Sequence, residues 1–337
     1  MIVAITGASA GVGRATATQF ARNGWDVALI ARNAARLENA AEELRAYGVN
    51  AIAIVADVAR HEQIDAAVAR IELELGPIDV WVNNAMATVF ASVSDISADE
   101  IRRATEVTYL GQVHGAKAAL SVMAPRDRGV IVNVGSALAY RALPLQSAYS
   151  GAKFAVRGFT DSLRSELLHD RSRVQVVMVH LPAINTPLFD WALNKTGRRA
   201  RPIAPIFQPE VAARAIFFAA TQPERREVWV GMSTIKAILA NRLFPSMLDR
   251  WLAKEGYEGQ LTRESSPSDA PANLETTVDG DYGARGRFGS EARAISVELF
   301  ADRHRDATPL LLAGIVGFAL AVMLPRRKAR SRPPALR

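Results

Sequence analysis

Thr6-Gly7-Ala8-Ser9-Ala10-Gly11-Val12-Gly13 follows the apolar run Ile2-Val3-Ala4-Ile5 and opens a helical stretch over 12–23. Strand, glycine turn and helix stand in the order that lets a helix N-terminus offer free N–H groups and its dipole to a pyrophosphate. A plain strand-to-helix turn would need one glycine. Three permit both the tight turn and a close approach of phosphate to backbone. The stretch therefore reads as the dinucleotide-binding turn of a first βα unit.

Working outward, the pattern repeats. Short runs rich in Val, Ile and Ala at 25–31, 51–56, 78–83, 129–134 and 174–180 alternate with helical stretches at 12–23, 34–47, 61–75, 98–123 and 148–169. A last helix over 209–220 and a last strand over 228–231 complete the series. Such alternation predicts an α/β domain, a Rossmann-like doubly wound parallel sheet covered by helices on both faces. The apolar strand starting at residue 2 leaves no room for a charged leader, so the body is expected in the cytoplasm.

Composition narrows the chemistry. At 49% hydrophobic and 22% charged, the 337-residue chain is globular. Without cysteine it has no disulfide framework, no Cys-ligated metal and no thiol nucleophile. Its five histidines are scattered without metal-ligand spacing, so no metal is expected. The net charge of +7 is local: six basic residues fall in the last twelve positions and leave the body nearly neutral. Nucleic-acid binding by the body loses its main support.

The domain is expected over 1–255. Within it, 237–252 (AILANRLFPSMLDRWL) reads as an apolar-faced helical stretch interrupted by Pro245, either packed on the domain or acting as a substrate lid or membrane-facing helix; packing is the preferred reading. Residues 256–306, rich in Ser, Pro, Asp and Gly, read as a flexible linker. Residues 307–325 are uncharged, and nineteen residues at a 1.5 Å rise span roughly 28 Å, enough for a bilayer core. A transmembrane helix is expected there, followed by a basic tail over 326–337. The tail charge favours the cytoplasmic side, which conflicts with a cytoplasmic body.

The second strand ends at Ala31 and Arg32, where an acidic residue would bind the ribose hydroxyls of NAD. A guanidinium suits the additional 2′-phosphate of NADP, so NADP(H) is favoured over NAD(H), with Arg36 one turn further on. Asp57 ends the third strand, placed to accept from the adenine amino group or to cap the next helix.

Tyr149 and Lys153, four apart near the start of a helix, share a face. A phenol ionises near pH ~10, and an adjacent ammonium is expected to lower that value. The pair can then exchange a proton with a carbonyl or alcohol oxygen while hydride moves at carbon. Ser136, thirteen residues upstream at a strand end, can hold the same oxygen.

With these residues the chain resembles the short-chain dehydrogenase/reductase family over roughly residues 1–235: TGASAGVG at 6–13, Asp57, the NNA of Asn83, Asn84 and Ala85, Ser136, Tyr149 and Lys153, and the PAINT segment at 182–186. The resemblance implies a seven-stranded parallel sheet and reversible carbonyl–alcohol oxidoreduction with Tyr149 as acid/base. It implies a cofactor site built from Gly7, Ser9, Gly11, Val12, Gly13, Arg32, Asp57, Val58, Asn84, Tyr149, Lys153, Pro182 and Thr186. It also implies a homo-oligomer. Three positions depart from the family pattern. Met86 and Ala183 stand where glycine is usual, and Thr108 stands where an asparagine helps hold a water in a proton relay from the lysine.

The expected function is an NADP(H)-dependent oxidoreductase acting on a hydrophobic small-molecule carbonyl or secondary alcohol at a membrane. Segments 137–144 and 184–206 would form the substrate pocket, with Phe189, Trp191 and Leu193 as apolar walls. The alternative is a nicotinamide-binding scaffold or sensor whose catalysis is weakened at Thr108. A sugar-nucleotide epimerase ranks last, because Gly7, Gly11 and Gly13 have the short-family spacing.

Overall fold

Seven apolar runs become the strands β1 (Ile2–Thr6), β2 (Asp26–Ala31), β3 (Ala51–Val55), β4 (Val80–Asn83), β5 (Val130–Ser136), β6 (Gln175–Leu181) and β7 (Glu227–Trp229) of one sheet. The computed structural model describes residues 1–267 and 270–303. All seven strands are parallel, in the order β3-β2-β1-β4-β5-β6-β7. Helices cover both faces, so Val3, Ala4, Ile5 and Val27 to Ile30 are completely buried. That is why β1 and β2 read as unbroken apolar runs instead of alternating ones.

Helices α1 (Gly11–Ala21) and α2 (Ala34–Arg45) follow β1 and β2, and α3 (His61–Glu74) follows β3. The stretch read as one helix over 98–123 is α4 (Ala98–Thr105), a π-helical turn (Glu106–Leu110) and α5 (Gly111–Met123). A Ser97–Glu100 capping box starts it. Helix α6 (Ser147–His169) carries the Tyr–Lys pair, and α7 (Pro209–Thr221) packs on α1 through Phe20 and Phe217, ring centroids 5.0 Å apart. The order of strands reverses between β1 and β4, and a crevice opens at their carboxyl ends.

Two further helices, α8 (Met232–Leu243) and α9 (Pro245–Trp251), cover one end of that crevice. Pro245 stands at the first position of α9, where its missing N–H breaks no helical bond.

The linker expected over 256–306 requires correction. Through Ser296 the chain belongs to the same compact unit as the sheet. Leu261–Ser265 pairs antiparallel with Arg198–Ala200, and Ala292–Arg293 joins a small sheet with Ile206–Phe207 and Ala183–Ile184. Its polar composition is compatible with order because its backbone carbonyls are taken up by arginines of the body. The second unit begins at Val297 and contains the helix Val297–Arg303. Among the described residues no helix is long and apolar enough to cross a membrane. The apolar run 307–325 and the basic tail 326–337 lie outside the described residues.

Candidate active site

The crevice widens into a cavity of about 680 Å³, within the range of sites that bury a small molecule or cofactor. Gly7, Ser9, Gly11, Val12, Arg32, Asp57, Val58, Asn84, Ser136, Tyr149, Lys153, Pro182 and Thr186 all line it. The fold thus brings together twelve of the thirteen expected cofactor residues, and Ser136 with them. Gly13 lies beneath: a Cβ there would collide with the Gly7 carbonyl oxygen, so this glycine lets α1 close on β1. Gly7 itself has φ +68° and faces the Ala85 backbone at 2.9 Å from where a Cβ would sit. Asn84 fixes this floor. Its amide donates to the Thr6 carbonyl at 2.9 Å and its backbone N–H to the Thr6 hydroxyl at 2.9 Å.

Lys153 is 1% exposed. Among the described residues its side chain has one hydrogen bond, donated to the Val134 carbonyl oxygen at 2.6 Å. A buried ammonium with two N–H groups to spare at a cavity wall fits the ribose hydroxyls of a dinucleotide. Burial pulls its pKa down to about 7.

Tyr149 departs from expectation. Burial pushes its pKa up to about 12, and a hydrogen bond with the Ser136 hydroxyl only partly opposes that. The Lys153 ammonium lies 5.6 Å from the ring centroid, and the expected net lowering is absent because desolvation of the phenolate outweighs it. Tyr149 is therefore a protonated phenol at neutral pH, an acid ready to donate. The Ser136 hydroxyl also accepts from the Leu138 N–H at 3.1 Å, which holds it at the strand end.

Thr108 does not line the cavity. It is fully buried in the π turn, where its hydroxyl donates to the Ala87 carbonyl at 2.8 Å and accepts from the Ala87 N–H at 2.9 Å. Its expected place in the catalytic set is corrected accordingly: the hydroxyl ties the π turn to the Ala87 backbone and is engaged there. Ala183 needs no glycine because it lies in a short strand, and Met86 lines the cavity.

Arg32 lines the cavity, yet its guanidinium already donates to the carbonyls of Asn273, Leu274 (3.3 Å) and Glu275 (2.8 Å). Arg36 donates to the carbonyls of Val278 and Gly280 (2.9 Å). Asp57 accepts from the Ala59 N–H at 3.0 Å and pairs with Arg103 at 2.5 Å. Burial would raise its pKa, but these partners win and lower it. The Asp57 carboxylate is thus largely occupied, but by a local turn and by Arg103; the following helix is capped at Arg60 without a side-chain bond, so the capping alternative is not met. Sequence reasoning missed Arg103 and the 273–288 segment, because both act through partners remote in the chain.

At the other end, Phe189 and Trp191 line the cavity as expected, but Trp191 also stacks on Arg36, 4.9 Å from its ring centroid. Ala237, Ala240, Leu248 and Leu252 add an apolar wall from α8 and α9 and the turn beyond. The 237–252 stretch therefore packs on the domain and walls the cavity at the same time.

A doubly wound sheet with a Ser–Tyr–Lys cluster at its switch-point crevice defines a Rossmann-type oxidoreductase. The chain belongs to the short chain dehydrogenase family, whose model matches residues 1–196; its members bind nicotinamide cofactors. An uncharacterized oxidoreductase of Bacillus subtilis (strain 168), YxnA, is 32% identical over 327 residues, covering 95% of this chain and 90% of its own. The 3-dehydrosphinganine reductase of Danio rerio is 29% identical, covering 65% of this chain and 68% of its own. Among solved structures, an alcohol dehydrogenase from Thermococcus sibiricus complexed with 5-hydroxy-NADP is 26% identical with a TM-score of 0.58. The match takes in 68% of this chain and 94% of that one. About a third of the present chain therefore has no counterpart there.

Proposed function

We propose that this oxidoreductase uses NADP(H) to reduce the carbonyl of a hydrophobic small molecule at a membrane surface. The observation that carries the proposal is the placement of Tyr149 beside Ser136 and Lys153 on the wall of a cavity with apolar lining at its other end. When bound, the nicotinamide supplies hydride to the carbonyl carbon. Tyr149 donates its phenolic proton to the carbonyl oxygen, so that ketone becomes secondary alcohol and the phenolate is left to be reprotonated from solvent. The Ser136 hydroxyl holds the same oxygen and stabilises charge developing on it. Lys153 would hold the ribose, and its charge would stabilise the phenolate.

Arg32 supports NADP(H) over NAD(H), since N–H groups remain beyond those given to the 273–275 carbonyls and no carboxylate ends β2. The Thermococcus sibiricus alcohol dehydrogenase carries 5-hydroxy-NADP, in keeping with NADP(H), and the Danio rerio relative is a reductase, in keeping with carbonyl reduction. Leu243, Phe244, Met247 and Trp251, each more than half exposed, project from α8 and α9 beside the cavity wall they help build. With the apolar run at 307–325 they favour a lipid surface from which the substrate enters.

The test is NADPH oxidation against a panel of lipid-like ketones, with membrane fractionation of the full chain. Turnover by Tyr149→Phe at the wild-type rate would refute the chemistry. Recovery of the protein wholly in the soluble fraction would refute the membrane part. Binding of NADPH with no turnover of any ketone would favour the scaffold reading instead.

A further inference from the structure

Residues 273–288 follow the cofactor crevice from one end to the other. At the adenosine end the carbonyls of Asn273, Leu274 and Glu275 meet Arg32, and that of Leu274 also meets Arg103 at 3.2 Å. Further along, the carbonyls of Val278 and Gly280 meet Arg36. Asp281 then forms a salt bridge of 2.6 Å with Arg14, whose side chain is 5% exposed. Over the glycine loop the Gly283 carbonyl accepts from the Gly11 N–H at 3.0 Å. Beyond it the Gly286 and Phe288 N–H groups donate to Asn185, at 3.2 Å to its carbonyl and 2.9 Å to its side chain.

The segment also joins the two banks. The Arg36 guanidinium, from α2, lies 4.9 Å from the Trp191 ring centroid and 5.4 Å from that of Tyr282. The two rings meet edge to face at 4.7 Å. Trp191 ends the short helix Leu188–Trp191 that follows the 182–186 segment on the opposite cavity wall, so the stack clasps the Arg36 bank, the strap and that wall together. Beneath it the cavity persists, lined on the floor by Gly7, Ser9 and Val12 and on the strap side by Asn273, Thr277 and Val278. The strap thus covers the space without filling it.

We infer that residues 273–288 form the roof of the cofactor site, and that a dinucleotide enters and leaves only when the clasp of Asp281–Arg14 and Tyr282–Arg36–Trp191 opens. The inference rests on the dinucleotide reading of the crevice. It makes strap opening the step that limits cofactor exchange, and it makes the roof contacts part of cofactor affinity. Charge-assisted bonds of this kind are worth about a ten-fold change in equilibrium each.

The experiment is stopped-flow release of NADPH from the full chain, followed by nicotinamide fluorescence after displacement with excess NADP⁺. Wild type is compared with Asp281→Ala, Asp281→Asn and Tyr282→Ala. Release from the variants is expected to be about ten-fold faster, association faster too, and the NADPH Kd higher. Hydrogen exchange should show the strap amides gaining protection when NADPH binds. Release within two-fold of wild type in all three variants overturns the inference while leaving the cofactor reading intact. Tighter NADPH binding by the variants also overturns it, because the strap would then be a plug competing with the dinucleotide. Failure of wild type to bind NADPH overturns both readings.

Discussion

The Lys153 ammonium donates to the Val134 carbonyl oxygen at 2.6 Å while lying 5.6 Å from the centre of the Tyr149 ring. One backbone bond from β5 thus sets the distance between the charge and the phenol it serves. Lys153 is buried and Tyr149 half-buried, and desolvation moves their pKa values toward the neutral forms, lysine down to about 7 and tyrosine up to about 12.

A pH dependence of stability follows. Between about pH 7 and the ordinary lysine value, the unfolded chain binds a proton that folded Lys153 has shed. Stability of the cofactor-free protein therefore rises with pH across that window, by at most about 1.4 kcal/mol per pH unit from this group. The cost of burying the ammonium is fully present below about pH 7. Thermal unfolding from pH 6.5 to 9.5 should show the rise in wild type and a flatter profile in Lys153→Met; parallel profiles would contradict the assignment.

Tyr149→Phe should lower kcat by roughly 10²–10⁴-fold with a smaller change in NADPH affinity, because it removes the proton donor and leaves the ring and the rest of the cofactor site in place. Ser136→Ala should lower kcat by about 10²-fold or more, since the remaining phenol must hold the oxygen alone. Steady-state rates with NADPH titrations by fluorescence separate the two effects.

Arg32→Ala should raise the NADPH Kd by about ten-fold or more and that of NADH much less. Equal losses for both cofactors would mean that Arg32 serves only the strap carbonyls. Isothermal titration of both dinucleotides decides between these outcomes.

Thr108→Ala leaves the Ala87 N–H and carbonyl without their buried partner and should cost about 1–3 kcal/mol of stability. Thr108→Ser keeps the hydroxyl and should cost less than half as much. Urea unfolding of both variants provides the measurement.

Much of the site was legible because its signals are local. Gly7, Gly11 and Gly13 answer to one turn, and Tyr149 and Lys153 to one helical face, so spacing alone reveals them. Thr108 was legible only as a departure. Its tie to Ala87 spans 21 positions and leaves no periodic trace. The strap was illegible for a different reason. Arg32 and Arg36 engage its main-chain carbonyls, which any residue supplies, so its polar, Asp- and Gly-containing sequence read as part of a linker. The Tyr149 shift was misjudged because spacing gives the neighbour's charge but not the depth of burial that opposes it.

Arg14 and Asp281 are separated by 267 positions. A ribosome must therefore add a further 267 residues after Arg14 before this ion pair can form, however early the sheet assembles. A nascent or prematurely stopped chain would present an uncovered groove flanked by unsatisfied guanidinium groups. Synthesis of the segment around Asp281 is thereby coupled to covering of the groove, and proteases or chaperones that sample the groove would meet different surfaces before and after that moment.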